Sequence, residues 1–589
     1  MTVRGFVNEA LHAVPLDEVM RHVERICAYD RYQASDGIQA AAAYVAEAAR
    51  QAGLEQVTIR QYEANGKAQW WDFCAPVAWT PRTARMEIHA SSGTVVIDHD
   101  VQPFSIATYS AASVAAARIV DVRRLAELPD VTGAVIVAGN HELRNGEMLE
   151  RWIAGGALGF VTDALARAGN DSTLCAGRIE LSPGSPLFAF SVTPSELAAI
   201  ADAARTGATA DISIHIDVSA SMPVVSGVLP GHGSGDEVWL LSHLCHPRPG
   251  ANDNASGVAA LLGAAAVLAR MRKQLDPERS IRFLWGPEYL GTAAALHERL
   301  HSGSFPSAAI NVDMAGEDQS LCQSPFVVER GPDFRPSILT PIAEAVVKEI
   351  FAQTSPSPGT WYAAPFLGFS DHALFADHSI ARAAVQFCHP SDRFNHSAAD
   401  TLDKVSRTEM LRSTAAAAAL AWLSANDSVL SREELAADWC ESVDAQTRRI
   451  AAAHASASGE WARRFVAHAA RVSAAMLALA KQSPQRAVDV RDDRPVLRRW
   501  RGPINIRAMI AALPPDACRV ISDLILADKM NYSLLLNFAL RVDGVRGQER
   551  IIDETSFALQ RPLDHATAQL LFDALFESGW VSAAFGDRL

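Results

Sequence analysis

The chain has 589 residues, 49% of them hydrophobic and 20% charged, with a formal net charge of −14. That length is more than one hydrophobic core organises, so several domains are expected, and the composition excludes a disordered or fibrous chain. The negative charge repels phosphate backbones and anionic lipid headgroups, which argues against a general role on nucleic acid or membrane and favours small, peptidic or cationic substrates.

The first twenty residues lack the apolar run of a secretory signal, and no later stretch offers about 18 consecutive apolar residues. A cytoplasmic location is the expectation. The eight cysteines are scattered without a close pair, so they read as reduced thiols. From Leu16 to Gly53 apolar residues recur at helical spacing, with Ser35 or Asp36 as the cap of the second helix, so residues 1–60 read as the helical start of the main domain. Residues 61–221 turn to short alternating runs and then to a compact unit, GAVIVAG, MLERWIAGG and LGFVTDA. Its order of strands and helices resembles a protease-associated insert domain, whose usual role is that of a lid or wall.

Residues 222–425 alternate buried-type strands, EVWLLSH, SIRFLWG, AAINVD and ARAAVQF, with long apolar helices. This alternation predicts an α/β core built on a mostly parallel sheet covered on both faces, with functional groups at the carboxyl ends of its strands. Residues 426–500 read as an alanine-rich helical segment followed by the basic linker RDDRPVLRRWRGP. Residues 501–589 read as helices with a short hairpin-like interval, similar to a winged helix. This last part has no excess of Lys and Arg over Asp and Glu, so interdomain packing or a homo-oligomer through it is expected rather than DNA binding.

The chemistry concentrates in four places. SHLCHPRPGANDNASG puts His243 at a strand end and Asp253 in the turn before a helix. RFLWGPEYLGT puts Glu288 just after the next strand, INVDMAG puts Asp313 at the end of another, and FNHSAADTLDKVS puts His396 in a loop before the final helix. Imidazole nitrogen and carboxylate oxygen are donors that zinc favours. Singly, Asp253 reads as a helix cap, Asp313 as a strand-end turn residue and His396 as a satisfied loop histidine; the order of all four carries the metal reading. His389 and Asp392 read as solvated loop residues. Trp361, Tyr362, Phe366 and Phe369 read equally as packing or as a substrate side-chain pocket.

At these residues the sequence resembles the zinc aminopeptidases of metallopeptidase family twenty-eight, relatives of the glutaminyl cyclases, in the bacterial branch with a protease-associated-type insert and a C-terminal winged helix. The resemblance implies a phosphorylase/hydrolase-like zinc exopeptidase core holding one or two zinc ions. His243 and Asp313 would bind one metal, His396 a second, and Asp253 would bridge them. Glu288 would be the general base, and Ser370, Asp371 and His372 in GFSDHALFADHS would shape the site. Two positions depart from the family. Cys245 stands where an Asp commonly orients the first His, and Glu288 is alone where two adjacent glutamates are usual. Either one metal is bound, or His246 or another group completes the second position. The function implied is zinc-dependent hydrolysis of an amide, releasing an N-terminal residue or trimming a small peptide or aminoacyl amide. An inactive metal-binding peptide-recognition scaffold and a glutaminyl cyclase-like acyltransferase are the alternatives.

Overall fold

The buried strand runs assemble into an eight-stranded mixed sheet. Its order is Glu55–Tyr62, Met222–Leu229, Ile281–Gly286, Glu237–His243, Pro306–Val312, Ala383–Cys388, Phe326–Glu329 and Trp361–Ala364. In this computed structural model, which describes residues 2–583 except 92, 126, 144–145, 166, 169–173, 234, 273–275, 303–305, 358, 427–429, 457 and 483–490, the middle of the sheet is parallel. Glu237–His243 pairs in parallel with Ile281–Gly286 and with Pro306–Val312, which pairs in parallel with Ala383–Cys388. Antiparallel pairings enter toward both edges.

Successive side chains of a strand point to opposite faces, and the two faces are covered differently. Leu240 and Ile310 join a core with Phe6, Val19 and Val45 of the N-terminal helices and with Val258 and Leu262. Trp239, Leu241 and Ala309 face the other way, against Leu296, Leu374 and Phe375. The helix Gly257–Met271 is apolar all round because it is buried on nearly every side. Before it in the chain come Val3–Ala13, Leu16–Cys27 and Asp36–Gln51. Ser35 is the cap of the last, accepting from Ile38 N, and Asp36 stands in its first turn. Val3–Ala13 lies ahead of the helical stretch expected from Leu16, and Thr2, which accepts from Gly5 N, is the cap that marks it.

Between the first two strands of this sheet the chain builds a second, seven-stranded sheet. Its order is Phe188–Ser191, Gly159–Thr162, Ala134–Ala138, Ser113–Asp121, Thr209–Asp217, Thr80–Ala90 and Gly93–Asp98. It has its own core around Ile136, Phe160, Phe190 and Ile212.

After Arg407–Ala425 come the antiparallel helices Arg432–His454 and Gly459–Ala480 and then five further helices from Ile506 to Glu577. The stretch read as a basic linker contains the strand Val496–Arg498, which pairs with Val581–Ala583 at the other end of the chain. That ribbon joins the two ends of the C-terminal unit, and no hairpin of a winged helix occurs among its described residues.

Candidate metal centre

Three adjacent parallel strands end side by side, and the residues just beyond them meet. His243 closes its strand, Glu288 stands two residues past Gly286, and Asp313 follows Val312. One ligand atom of each lies within 4.8 Å of the others. His243 Nε2 is 3.1 Å from Asp313 Oδ1 and 3.3 Å from Asp253 Oδ1. A second set gathers on the far oxygen of Asp253: His246 Nε2 lies 3.4 Å and His396 Nε2 3.0 Å from Oδ2. These three also lie within 4.8 Å of one another. Asp253 therefore turns one oxygen toward each set. His243, His246, Asp253 and Asp313 are buried, while the His396 side chain is 41% exposed, so the centre opens to solvent past His396.

The turns that deliver these groups are tight. Gly250 has φ 50°, and a Cβ there would stand 2.4 Å from both Asp253 O and His246 Nδ1, so only glycine lets the His246 ring fold back over the turn. Tyr289, Met314 and His396 itself, two of them the immediate followers of Glu288 and Asp313, have φ of 56°, 55° and 57°. Such conformations cost energy in non-glycine residues and persist where the surroundings over-determine them.

Each buried imidazole is aimed by its other nitrogen. His243 Nδ1 lies 3.2 Å from Cys245 O and His246 Nδ1 lies 2.8 Å from Pro247 O. A carbonyl only accepts, so Nδ1 donates in both rings and Nε2 faces inward. His246 Nε2 is buried and makes no hydrogen bond among the described residues. Burial holds the pKa of His246 well below the ordinary imidazole value, so it keeps the neutral form that binds metal. At His243 burial is outweighed by Asp313 and Asp253, which push its pKa well up. Its neighbours thus demand a positive charge, which a proton or a metal ion on Nε2 supplies. Asp253 is held well below the usual carboxylate range because the surrounding imidazoles outweigh burial. The donor chemistry and the orphaned His246 nitrogen fit a divalent ion with a preference for N and O ligands.

Glu288 differs from the other carboxylates. Burial, with the charges of Asp313, Asp371 and Asp253, pushes its pKa up to about 7 against the pull of His243. Its backbone N–H donates to the Cys245 thiol at 3.2 Å. Cys245 therefore serves the centre through its carbonyl on one side and its sulfur on the other.

Of the SDH segment, Asp371 touches this loop: its Oδ1 accepts from Tyr289 N at 2.7 Å. His372 turns away and meets Glu329 Oε1 at 2.6 Å. The same oxygen takes the N–H groups of Leu367 and Gly368. Ser370 is buried, and its hydroxyl makes no hydrogen bond among the described residues. His389 and Asp392 are buried rather than solvated, because His389 Nδ1 meets Glu317 Oε2 at 3.1 Å and Met314 O at 3.0 Å behind the Asp313 strand end. Phe369 stacks on Tyr532 of the C-terminal unit with ring centroids 5.9 Å apart.

Three supporting residues escaped the motif reading. Arg31 is fully buried and donates to the carbonyls of Leu244 and Gly250 at 2.9 and 3.1 Å, clamping the His246 turn. Asn254 Oδ1 accepts from Met314 N and Gly257 N, and its Nδ2 donates to Ser242 Oγ. Asp400 accepts from Asn252 N at 2.8 Å and Asp253 N at 3.0 Å. Asn254 and Asp400 lie inside or beside the quoted motifs, where a polar residue with no assigned task was the available signal. Arg31 had none.

Residues 225–421 match the model of Peptidase family M28. A zinc aminopeptidase from Bacillus subtilis is similar in fold, with a TM-score of 0.51 and 16% identity over 71% of this chain and 97% of that one. A peptidase M28 precursor from Shewanella amazonensis gives 0.50 and 17% over 72% and 96%. A putative peptidase from Clostridium acetobutylicum gives 0.51 and 13% over 99% of each chain, so that likeness extends through the second sheet and the C-terminal helices. No curated protein matches the sequence.

Proposed function

We propose that this chain, a protein with an M28 peptidase domain, is a zinc-dependent hydrolase that cleaves an amide next to a free amino group and holds two metal ions. The observation that carries this reading is the pair of three-residue donor sets joined by the two oxygens of Asp253. His243 and Asp313 would hold one ion, His246 and His396 the other, with Asp253 between. His246 supplies the donor that the missing second glutamate would otherwise provide.

Zinc, when bound, supplies a Lewis acid that acidifies water and polarises the amide carbonyl. The protein's own part is proton handling and positioning. Glu288 takes a proton from the attacking water and returns it to the departing amine. Asp371, through Tyr289 N, and the Cys245 sulfur, through Glu288 N, fix the loop on which that carboxylate rides. His396, on the solvent-facing side of the centre, marks where substrate would enter.

The test combines metal analysis with turnover. Purified protein should contain close to two zinc ions per chain and hydrolyse aminoacyl amides, lose activity to a chelator and regain it with zinc. Undiminished hydrolysis by metal-free protein, or no hydrolysis by fully loaded protein, would refute the reading.

A further inference from the structure

The two donor sets differ in what holds them. His243 and Asp313 stand at strand ends of the eight-stranded sheet, and none of their hydrogen bonds or ion pairs among the described residues involves the inserted sheet. Both histidines of the other set are met by it.

Residues 176–178, in the connection between the inserted strands Gly159–Thr162 and Phe188–Ser191, run antiparallel to the His396 loop. Gly177 bridges Ser397, Arg178 N donates to His396 O at 2.8 Å, and Ala398 N donates to Ala176 O at 3.0 Å. This segment is fastened in turn to the inserted unit. The buried Ser191 hydroxyl donates to the carbonyl of the buried Gly177 at 2.8 Å, Thr108 N donates to Ile179 O at 3.0 Å, and Leu181 N donates to Thr108 O at 2.9 Å. His396 has φ of 57°, a conformation that a non-glycine residue keeps only when its surroundings hold it there.

His246 is reached by two routes. Phe104, buried in the turn Pro103–Ser105, places its ring centroid 5.9 Å from that of His246. His99, whose Nδ1 lies 3.1 Å from Pro103 O, brings Nε2 to 3.4 Å from Asp30 Oδ2. Asp30 in turn accepts from Arg248 N at 3.2 Å and from Arg248 Nε at 2.9 Å, two residues beyond His246. A ligand that is already aimed gives up less freedom when the ion arrives, so groups that orient ligands raise metal affinity without touching the metal.

We propose that the inserted unit completes the second metal position, with Ser191 and Phe104 as positioning residues for His396 and His246. They set the affinity of that ion alone, whereas the ion between His243 and Asp313 is independent of the insert. The inference rests on the two-ion reading above and adds to it that one of the two positions depends on how the insert is seated.

The test is a zinc titration of metal-free full-length protein against a chromophoric chelator, which yields two stepwise dissociation constants, with a thermal melt of each metal-free variant beside it. Ser191→Ala and Phe104→Ala should each weaken one ion by about tenfold or more and leave the other at the parent affinity, with Phe104→Leu in between. The same substitutions placed in the His246→Ala chain, whose remaining ion belongs to His243 and Asp313, should leave its affinity unchanged. Ser191→Ala removes a single oxygen atom and decides the matter if Phe104→Ala does not fold. Parent affinity for both ions in either alanine variant, equal weakening of both ions, or a weakening that persists in the His246→Ala chain would overturn the proposal. A parent chain that binds one ion, or a His246→Ala chain that binds any number but one, would remove the two-ion reading and this inference with it.

Discussion

The Nε2 atom of His246 lies 3.4 Å from Oδ2 of Asp253, the same oxygen that His396 meets at 3.0 Å, and it makes no hydrogen bond among the described residues. A buried nitrogen lone pair left bare is costly unless a cation or a donor meets it. His246→Ala is therefore expected to reduce bound zinc from about two ions to about one per chain while leaving the sheet folded. Metal analysis beside a circular dichroism melt checks this, and zinc content at the parent level would remove His246 from the ligands.

Cys245 orients His243 through its backbone, with the carbonyl 3.2 Å and the sulfur 3.9 Å from Nδ1. Cys245→Ala keeps the carbonyl, so zinc content should stay near the parent value. The loss falls on the Glu288 N–H, whose acceptor is the sulfur at 3.2 Å. Turnover should drop by a few-fold, about the effect of one modest hydrogen bond, and loss of metal would show that the thiol itself is needed at the centre.

Glu288→Gln tests proton transfer. The amide fills the same space and keeps the neighbours in place, so zinc content should hold while kcat falls by about a hundredfold or more. If zinc is lost instead, Glu288 is a ligand of the set it forms with His243 and Asp313. Unchanged turnover would take it out of the mechanism.

Asp400 accepts the backbone N–H groups of Asn252 and Asp253 on its two oxygens. Asp400→Asn turns one of those acceptors into a donor facing a donor. Zinc affinity should weaken by roughly tenfold to a hundredfold, as when partners that orient a ligand are removed. Competition with a chromophoric chelator measures it, and parent-like affinity would show that the turn around Asp253 holds without Asp400.

Asp333 ties the core to the C-terminal helices. It pairs with the fully buried Arg541 and lies 2.6 Å from His468 Nε2. Burial opposes its charge, but Arg541 and His468 outweigh it and hold the carboxyl down at about 2. The folded value lies below the unfolded value of about 3.9, so this stabilisation is complete above about pH 4 and is lost as pH falls toward 2. Asp333→Asn should cost about 3 kcal/mol at pH 7, where it leaves Arg541 without its partner. The difference from the parent should shrink as the pH is lowered from 4 to 2. Denaturant unfolding across that range checks it; a constant difference would mean that the carboxylate charge is not what stabilises.

What the sequence determined by itself was local. Alternation of buried strands with apolar helices is a property of ten or twenty neighbouring residues, and a strand end followed by His, Glu or Asp shows its chemistry within one turn. On that basis His243, Asp253, Glu288, Asp313 and His396 could be named, along with the α/β core that carries them. Contacts between distant residues were decided only by the tertiary structure. His246 acquires its role because Arg31, 219 positions from Gly250, clamps the turn and brings the ring to Asp253. His389 is buried because Glu317 reaches it from another strand connection. Arg178 meets the His396 loop because a bridge from Gly177 to Ser397 carries the inserted unit to the edge of the centre. Periodicity and motif spacing report which way a side chain faces in its own element. Which element it meets depends on the packing of the whole chain, and there the partners of a metal centre and the charge around it are set.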